Sequence, residues 1–267
     1  MSFSPILPLS GAAGWAMLKR TMAAQTAAMQ ATPEMTRDTD YFRANIAKVT
    51  TADQLVGDRR LLKIALGAFG LEGDIGNKAF VKKVLTDGIT SGAALANRLA
   101  DKRYLQMANA FRFDQTVPAT QTAGFAATIL AAYKARTFET AVGTQDENLR
   151  LALNAQRELT ALAAASSSEN TKWLTILGSA PLAQVFQKAL GLAARTSALN
   201  LDQQLLLYKS KATAVFGDNS ISQFTDSTKS ETLIKRFLSL AQADQFTNLS
   251  NGSSIALTLL QQAKGSL

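Results

Sequence analysis

Residues 57–113, GDRRLLKIALGAFGLEGDIGNKAFVKKVLTDGITSGAALANRLADKRYLQMANAFRF, decide the fold of this 267-residue chain. Within the stretch, Leu62, Leu66 and Phe69 lie three or four positions apart, and Gly70 follows them. Apolar residues at this spacing indicate an amphipathic helix, and a glycine directly after the last one is a common helix end. The first part of the stretch therefore predicts a short helix with one buried face.

Two more short helices follow the same rule. One covers Phe80–Leu85 and ends at Gly88, and the other repeats the apolar spacing from Tyr104 to Phe111. Three short amphipathic helices with glycine ends are typical of a compact helical bundle, which we place at residues 40–114.

After Pro118 the sequence pattern changes and predicts longer alanine-rich helices, which we place between residues 120 and 243. The predicted segments are Gln121–Val142, Gln145–Ala165, Leu182–Leu192, Leu201–Phe216, Ser227–Ala243 and a last short helix Ser253–Ala263. No stretch alternates apolar and polar residues between hairpin turns, so the prediction is an all-α fold. We expect one domain over residues 1–267, compact or elongated, with ends at 1–11 and 244–267 that either move freely or dock on the bundle.

Composition excludes several kinds of chemistry. The chain has no Cys and no His, which rules out disulfides, thiolate nucleophiles, Cys/His zinc sites and a Ser-His-Asp triad. Its net charge of +8 is spread along the sequence, and each successive block of about fifty residues carries only one or two excess positive charges. An even, mild positive balance favours solubility over a polyanion-binding footprint. We therefore expect no catalytic, cofactor-binding or metal-binding residues.

The amino terminus and the longest apolar stretch bear on localisation. Lys19 and Arg20 follow the apolar amino terminus, whereas a secretory signal needs basic residues before it. The longest apolar stretch, Gly124–Tyr133, is roughly half of what a membrane span requires. We expect a protein without a membrane span that is cytoplasmic or is exported without a cleaved signal peptide.

Several segments together carry a family resemblance over about residues 40–240. They are Asp58–Leu62, Ala68–Leu71, Leu99–Tyr104, Phe111–Phe113, Phe138–Gly143, Leu149–Asn154, Trp173–Gly178 and Leu201–Leu205. With them the chain resembles a family of uncharacterised all-helical proteins from alphaproteobacteria, a domain of unknown function whose genes tend to lie among flagellar genes. The resemblance implies a helical fold and a link to motility by association, and it supplies no catalytic residue.

Four features invite a site, and each also has a structural explanation. The glycines of residues 70–78 suggest a phosphate loop, but their spacing is not that of a P-loop and a turn between helices explains them. Basic and aromatic residues alternate over residues 102–113, yet helical spacing puts the aromatic residues in the core. Glu139 and Asp146 could serve a carboxylate-based hydrolase or form helix-surface ion pairs, and Trp173 could stack on a sugar or anchor the core.

The function that these observations favour is a non-enzymatic, flagellum-associated interaction protein, acting as an assembly factor, an adaptor or a minor structural component. Its partners would be flagellar proteins and not nucleic acid, and its oligomeric state is left open. Residues 57–113 carry ten basic and five acidic residues, so a face there is predicted to meet an acidic partner. That face consists of Arg59, Arg60, Lys82, Lys83, Lys102 and Arg103. The alternatives are a cytoplasmic nucleic-acid-binding regulator using the same six residues and, third, a hydrolase using Glu139 or Asp146.

Overall fold

The computed structural model describes residues 3–264, with side chains as far as Gln245. Over that range the chain forms thirteen α-helices and no strand, which confirms the all-α prediction. The helices are α1 (Gly11–Gln30), α2 (Pro33–Asn45), α3 (Ala52–Gly57), α4 (Arg59–Phe69), α5 (Lys78–Asp87), α6 (Leu95–Arg98), α7 (Lys102–Phe111), α8 (Phe125–Gly143), α9 (Glu147–Ala164), α10 (Glu169–Gly178), α11 (Ala180–Ala189), α12 (Leu201–Phe216) and α13 (Ser227–Lys264).

Helix ends follow the capping residues that the sequence offers. Asp58, Ser168 and Asn200 accept hydrogen bonds from backbone N–H groups in the first turns of α4, α10 and α12. Gly70 and Gly217 follow α4 and α12 in the left-handed conformation, at φ 71° and 78°. Only glycine adopts that conformation at no steric cost, so both helices end there.

One sequence-based helix break is wrong, and one short helix is absent from the prediction. The predicted break between Ala243 and Ser253 does not exist, because α13 runs unbroken from Ser227 to Lys264. No proline interrupts that stretch, and Gly252 alone costs a helix only about 1 kcal/mol relative to alanine. In addition, the region between α5 and α7 contains the four-residue helix α6, which the sequence pattern does not predict.

The contacts of the chain divide it into two compact units. Unit 1 comprises Thr21–Val142 with the amino-terminal residues to Ile6, and unit 2 comprises Leu7–Arg20 with the chain from Gly143 onward. Helix α1 therefore supplies residues to both. The predicted sub-bundle at residues 40–114 lies within unit 1, and the expectation of a single domain stays a prediction.

Unit 1 is organised around α4, which packs on α2, α3 and α7. Leu62, Ile64 and Leu66 of α4 are fully buried. The amino terminus docks on this unit, because Ile6 donates its N–H to the Gln25 side chain (2.8 Å) and Phe3 lies 6.1 Å from Phe138 between ring centroids. Residues 3–6 therefore dock on unit 1 instead of moving freely.

Unit 2 is built on α9, which packs against α11 and α13. Its core contains Trp15, Trp173, Phe186 and Phe237, all without solvent exposure or nearly so. Side chains beyond Gln245 lie outside the described residues, so the predicted docking of residues 244–267 stays a prediction. Of the helices in the described range, none is both long enough and apolar enough to cross a bilayer.

Candidate binding cleft and charged face

The six basic residues of the predicted partner-binding face are all exposed, and all belong to unit 1. Five of them already have partners within the chain. Arg60 lies over the Tyr41 ring, 3.9 Å from its centroid, and donates to the Arg37 carbonyl at 3.0 Å. Its guanidinium therefore fastens the start of α4 to α2.

The lysines of the predicted face are held in a similar way. Lys82 pairs with Asp53, and Lys83 pairs with Asp87 at 3.0 Å. Lys102 donates to the Leu99 carbonyl at 2.9 Å. Exposed pairs of this kind contribute only about 0–1 kcal/mol each, but they reduce the charge available to a partner.

Arg103 has a structural role at the end of α4. Its guanidinium binds the Asp101 carboxylate, at 2.6 Å from Nη2, and donates to the carbonyl of Gly70. The Arg103 guanidinium beside it holds the pKa of Asp101 below its ordinary value. Arg136 donates to the Ala68 carbonyl at 2.9 Å, so two guanidinium groups satisfy carbonyls at the negative end of this helix.

Arg59 differs from the other five. Arg59 is the first residue of α4, and its side chain makes no ion pair and no hydrogen bond with the side chains described, those up to Gln245, or with the described backbone. It borders a cleft of about 850 Å³. The lining residues are Asp38, Arg59, Arg60, Lys63, Glu72, Ile75, Tyr133, Thr137, Thr140 and Ala141.

Lys63 fixes one wall of the cleft. Its Nζ lies 2.8 Å from Asp38 and 3.0 Å from Glu34, both on α2. Burial alone would lower the pKa of Lys63, but the hydrogen bonds to the two carboxylates outweigh burial and raise it above its ordinary value. This ammonium group is therefore charged and committed to α2.

Tyr133 of α8 forms an apolar wall. The side chain is buried, and burial raises the pKa of its hydroxyl. The ring lies directly against Gly67 of α4, where an added Cβ would come within 2.7 Å of two ring carbons. A glycine inside a helix thus allows α4 and α8 to approach closely.

The remaining predicted motifs of unit 1 serve structure. Gly70 ends α4, and Asp74 in the following turn accepts hydrogen bonds from the Tyr104 hydroxyl and from Asn77 (2.7 Å), so the 70–78 segment is a turn between helices. Burial, followed by the hydrogen bond to Asp74, raises the pKa of Tyr104 to about 12. Phe111 is buried against Phe69 and Phe125, as the helical stripe predicts.

The acidic and tryptophan candidates likewise have structural places. Glu139 is buried within α8, and Asp146 accepts the Leu149 N–H at 3.0 Å as the N-cap of α9. Trp173 is fully buried against Phe186 and donates its indole N–H to the Asn219 carbonyl at 2.8 Å. Over the described part of the chain, acidic residues form no group suited to holding a metal ion.

Sequence reasoning missed a buried lysine in unit 2. Lys172 is 3% exposed, and its Nζ donates to the Ala163 carbonyl (3.0 Å) and to the Ser222 hydroxyl (2.6 Å). Glu169 lies 3.4 Å from the same ammonium and also accepts from the Ser222 hydroxyl. The signal available in the sequence is a Glu and a Lys three positions apart beside a core tryptophan. The network joins the end of α9 to α10 and the turn before α13.

Helix α12 leaves apolar surface uncovered. Only Tyr208 and Ala212 of its sixteen residues are buried, and Leu206 is 71% exposed. Leu201 at its start and Leu174 on the neighbouring α10 are 53% and 41% exposed. Single exposed leucines are ordinary on a protein surface, and these three lie on two helices that contact each other.

Comparison with known proteins places the chain in a family. A family model described as "Protein of unknown function (DUF1217)" matches residues 68–230, more than half of the sequence. The chain belongs to this family. Its members' shared range contains the Tyr133 wall of the cleft, whereas Arg59 and Lys63 precede it.

A solved structure resembles this member of the family over nearly its whole length. It is the X-ray crystal structure of a protein from Agrobacterium tumefaciens, 26% identical in sequence, with a TM-score of 0.70. The alignment covers 90% of this chain and 98% of that protein. The search of curated proteins gave no significant match. The resemblance to an uncharacterised helical family is therefore confirmed, and neither match describes an activity.

Proposed function

We propose that the protein is a non-enzymatic interaction protein of the flagellar system, acting as an assembly factor, an adaptor or a minor structural component. The observation that carries the proposal is the surface of α12, where Leu206 projects into solvent from a helix with two buried residues. The resemblance to a family whose genes tend to lie among flagellar genes supplies the biological setting. Residues that looked catalytic in the sequence have structural partners, such as Asp146 at the start of α9.

The test is a pair of chromosomal substitutions, one on α12 and one on α8. Leu206→Lys places a charge where the exposed leucine lies, and the control Thr128→Lys places the same charge at an exposed position of α8 in unit 1. We expect smaller swimming rings and fewer flagella only for Leu206→Lys. Normal flagellar number and swimming in the Leu206→Lys strain, and in a strain that lacks the gene, would contradict the proposal.

The same strains address localisation. A carboxyl-terminal tag on the protein, recovered from cells and from culture supernatant, identifies the compartment and the bound partner together. We expect a flagellar protein to be recovered with the wild-type chain and to be lost with Leu206→Lys.

The nucleic-acid-binding alternative receives less support from the geometry. It needs six basic residues free to contact phosphates, and five of the six are engaged within the chain. A hydrolase using Glu139 or Asp146 has the same difficulty, since Asp146 caps α9.

A further inference from the structure

The cleft beside α4 has the dimensions and the mixture of surfaces of a binding site. Its volume of about 850 Å³ falls in the range of pockets that enclose small ligands or a few side chains. Ile75, Ala141 and the Tyr133 ring give it apolar walls. Thr140 is exposed there and adds a hydroxyl group.

The three cationic side chains that line the cleft differ in whether they are free to bind a ligand. Lys63 is neutralised by Asp38 and Glu34, and Arg60 is stacked on Tyr41. Arg59 alone among the lining cations has no counter-ion in the described chain. An uncompensated guanidinium beside apolar walls is suited to a carboxylate, which it can bind through two parallel hydrogen bonds.

The charges that line the cleft also limit the charge of the ligand. Asp38 is paired with Lys63, but Glu72 lines the cleft as well, so a phosphate dianion would meet a carboxylate and only one available cation. A single negative charge attached to an apolar group fits better. A glutamate or aspartate side chain next to a leucine in a protein segment has this chemistry.

We propose that this cleft binds an acidic peptide segment, with its carboxylate on Arg59 and a neighbouring apolar side chain against Tyr133 and Ile75. That the peptide belongs to a partner protein rests on the proposed function. The preference for a carboxylate beside an apolar group follows from the residues that line the cleft alone.

The test is a titration of the full-length, isotope-labelled protein followed by amide NMR shifts. The probes are N-acetyl-Leu-Glu-Leu-amide, the same peptide with Gln in place of Glu, and inorganic phosphate. We expect the Glu peptide to give saturable shifts in the first turn of α4 and in the middle of α8. The Gln peptide should bind about tenfold more weakly, because it lacks the charge that Arg59 recognises.

Matched variants locate the interaction. Arg59→Gln should weaken binding of the Glu peptide about tenfold, whereas Lys78→Gln should leave it unchanged. Lys78 is the right control because it is likewise an exposed cation at the first position of a helix, α5, and it does not line the cleft. Ile75→Ser should weaken both peptides, since it removes part of an apolar wall.

Three results would overturn the proposal: equal shifts from the Glu and Gln peptides, equal losses in Arg59→Gln and Lys78→Gln, or stronger binding of phosphate than of the Glu peptide at these amides. These outcomes are separable from those of the proposed function. A failed titration together with a swimming defect in the Leu206→Lys strain would reject the cleft and leave the flagellar role standing. Peptide binding together with normal swimming in that strain would support the cleft and count against the flagellar role.

Discussion

Helices α4 and α12 begin and end in the same way but have opposite relations to the rest of the protein. Asp58 and Asn200 cap their first turns, and Gly70 and Gly217 end them in the left-handed conformation. Helix α4 buries seven of its eleven residues, whereas α12 buries two of sixteen.

The difference shows that local signals place a helix and tertiary contacts decide its role. The six basic residues predicted as a binding face mostly have partners within the chain, and two of them, Arg60 and Arg103, hold the start and the end of α4. On α12, by contrast, Leu206 is an apolar side chain that remains exposed.

Leu62→Ala is the strongest test of the comparison. Leu62 is fully buried in α4, so its truncation should lower the free energy of unfolding by about 2–5 kcal/mol. Urea denaturation followed by circular dichroism measures the loss. The control is Leu206→Ala on α12, for which we expect a change within about 0.5 kcal/mol. Equal losses in the two variants would show that α12 is buried in solution.

Gly67→Ala tests the close approach of α4 and α8. Alanine favours the helix by about 1 kcal/mol, but its Cβ would come within 2.7 Å of the Tyr133 ring, so we expect a net loss of about 1–2 kcal/mol. Gly178→Ala at the end of α10 is the control, because the added Cβ would meet no atom within 4 Å apart from its chain neighbours and its own helix backbone. That variant should be as stable as the wild type or more stable by up to about 1 kcal/mol. A stabilised Gly67→Ala protein would contradict the packing described here.

The two N-caps predict different responses to acid. Burial opposes ionisation of Asp58, but hydrogen bonds from Tyr41 and from backbone N–H groups outweigh burial and lower its pKa below the ordinary 3.8. The ionised group therefore stabilises the folded state above that ordinary value, and the stabilisation is lost as pH falls through the lower folded pKa. Asn200 has no charge to lose.

Asp58→Asn should accordingly lower the free energy of unfolding by about 1 kcal/mol at neutral pH and leave it unchanged near pH 2. Asn200→Asp should introduce a new acid-sensitive contribution at α12. Unfolding free energies measured across this pH range check both variants. Parallel pH profiles for wild type and Asp58→Asn would show that Asp58 is not ionised as a cap.

Leu206→Lys has the smallest expected effect on stability. The side chain is 71% exposed, so the free energy of unfolding should change by less than about 0.5 kcal/mol. Thermal and urea unfolding check this before any swimming assay is interpreted. A large loss of stability would mean that Leu206 contributes to folding. A swimming defect of the Leu206→Lys strain could then not be assigned to the loss of a binding partner.

Much of the fold could be predicted because its signals are local. Asn200 and Gly217 mark the ends of α12 in the sequence, and the structure places that helix at the predicted bounds Leu201–Phe216. Other features have no such marker. Arg112 ends α7 in the left-handed conformation without a glycine, and α13 continues through Gly252.

The candidate site depended on contacts that the sequence does not display. The excess of basic residues in 57–113 points to Arg59, but its lack of a counter-ion emerges only when Lys63 and Arg60 are seen with their partners. Tyr133 lies 66 positions from Gly67, and no periodicity joins them. The one available hint was Gly67 itself, since a glycine inside an amphipathic helix indicates close approach of another element.

The indole of Trp15 donates to the Glu231 carboxylate at 3.2 Å, a contact between residues 216 positions apart. On a ribosome, the chain around Trp15 emerges long before α13 has been synthesised. Val142, the last residue of unit 1, is synthesised much earlier than α13. The residues of unit 1 up to Val142 can therefore fold before Glu231, the partner of Trp15, has been synthesised. Until then the apolar segment around Trp15 remains accessible to chaperones.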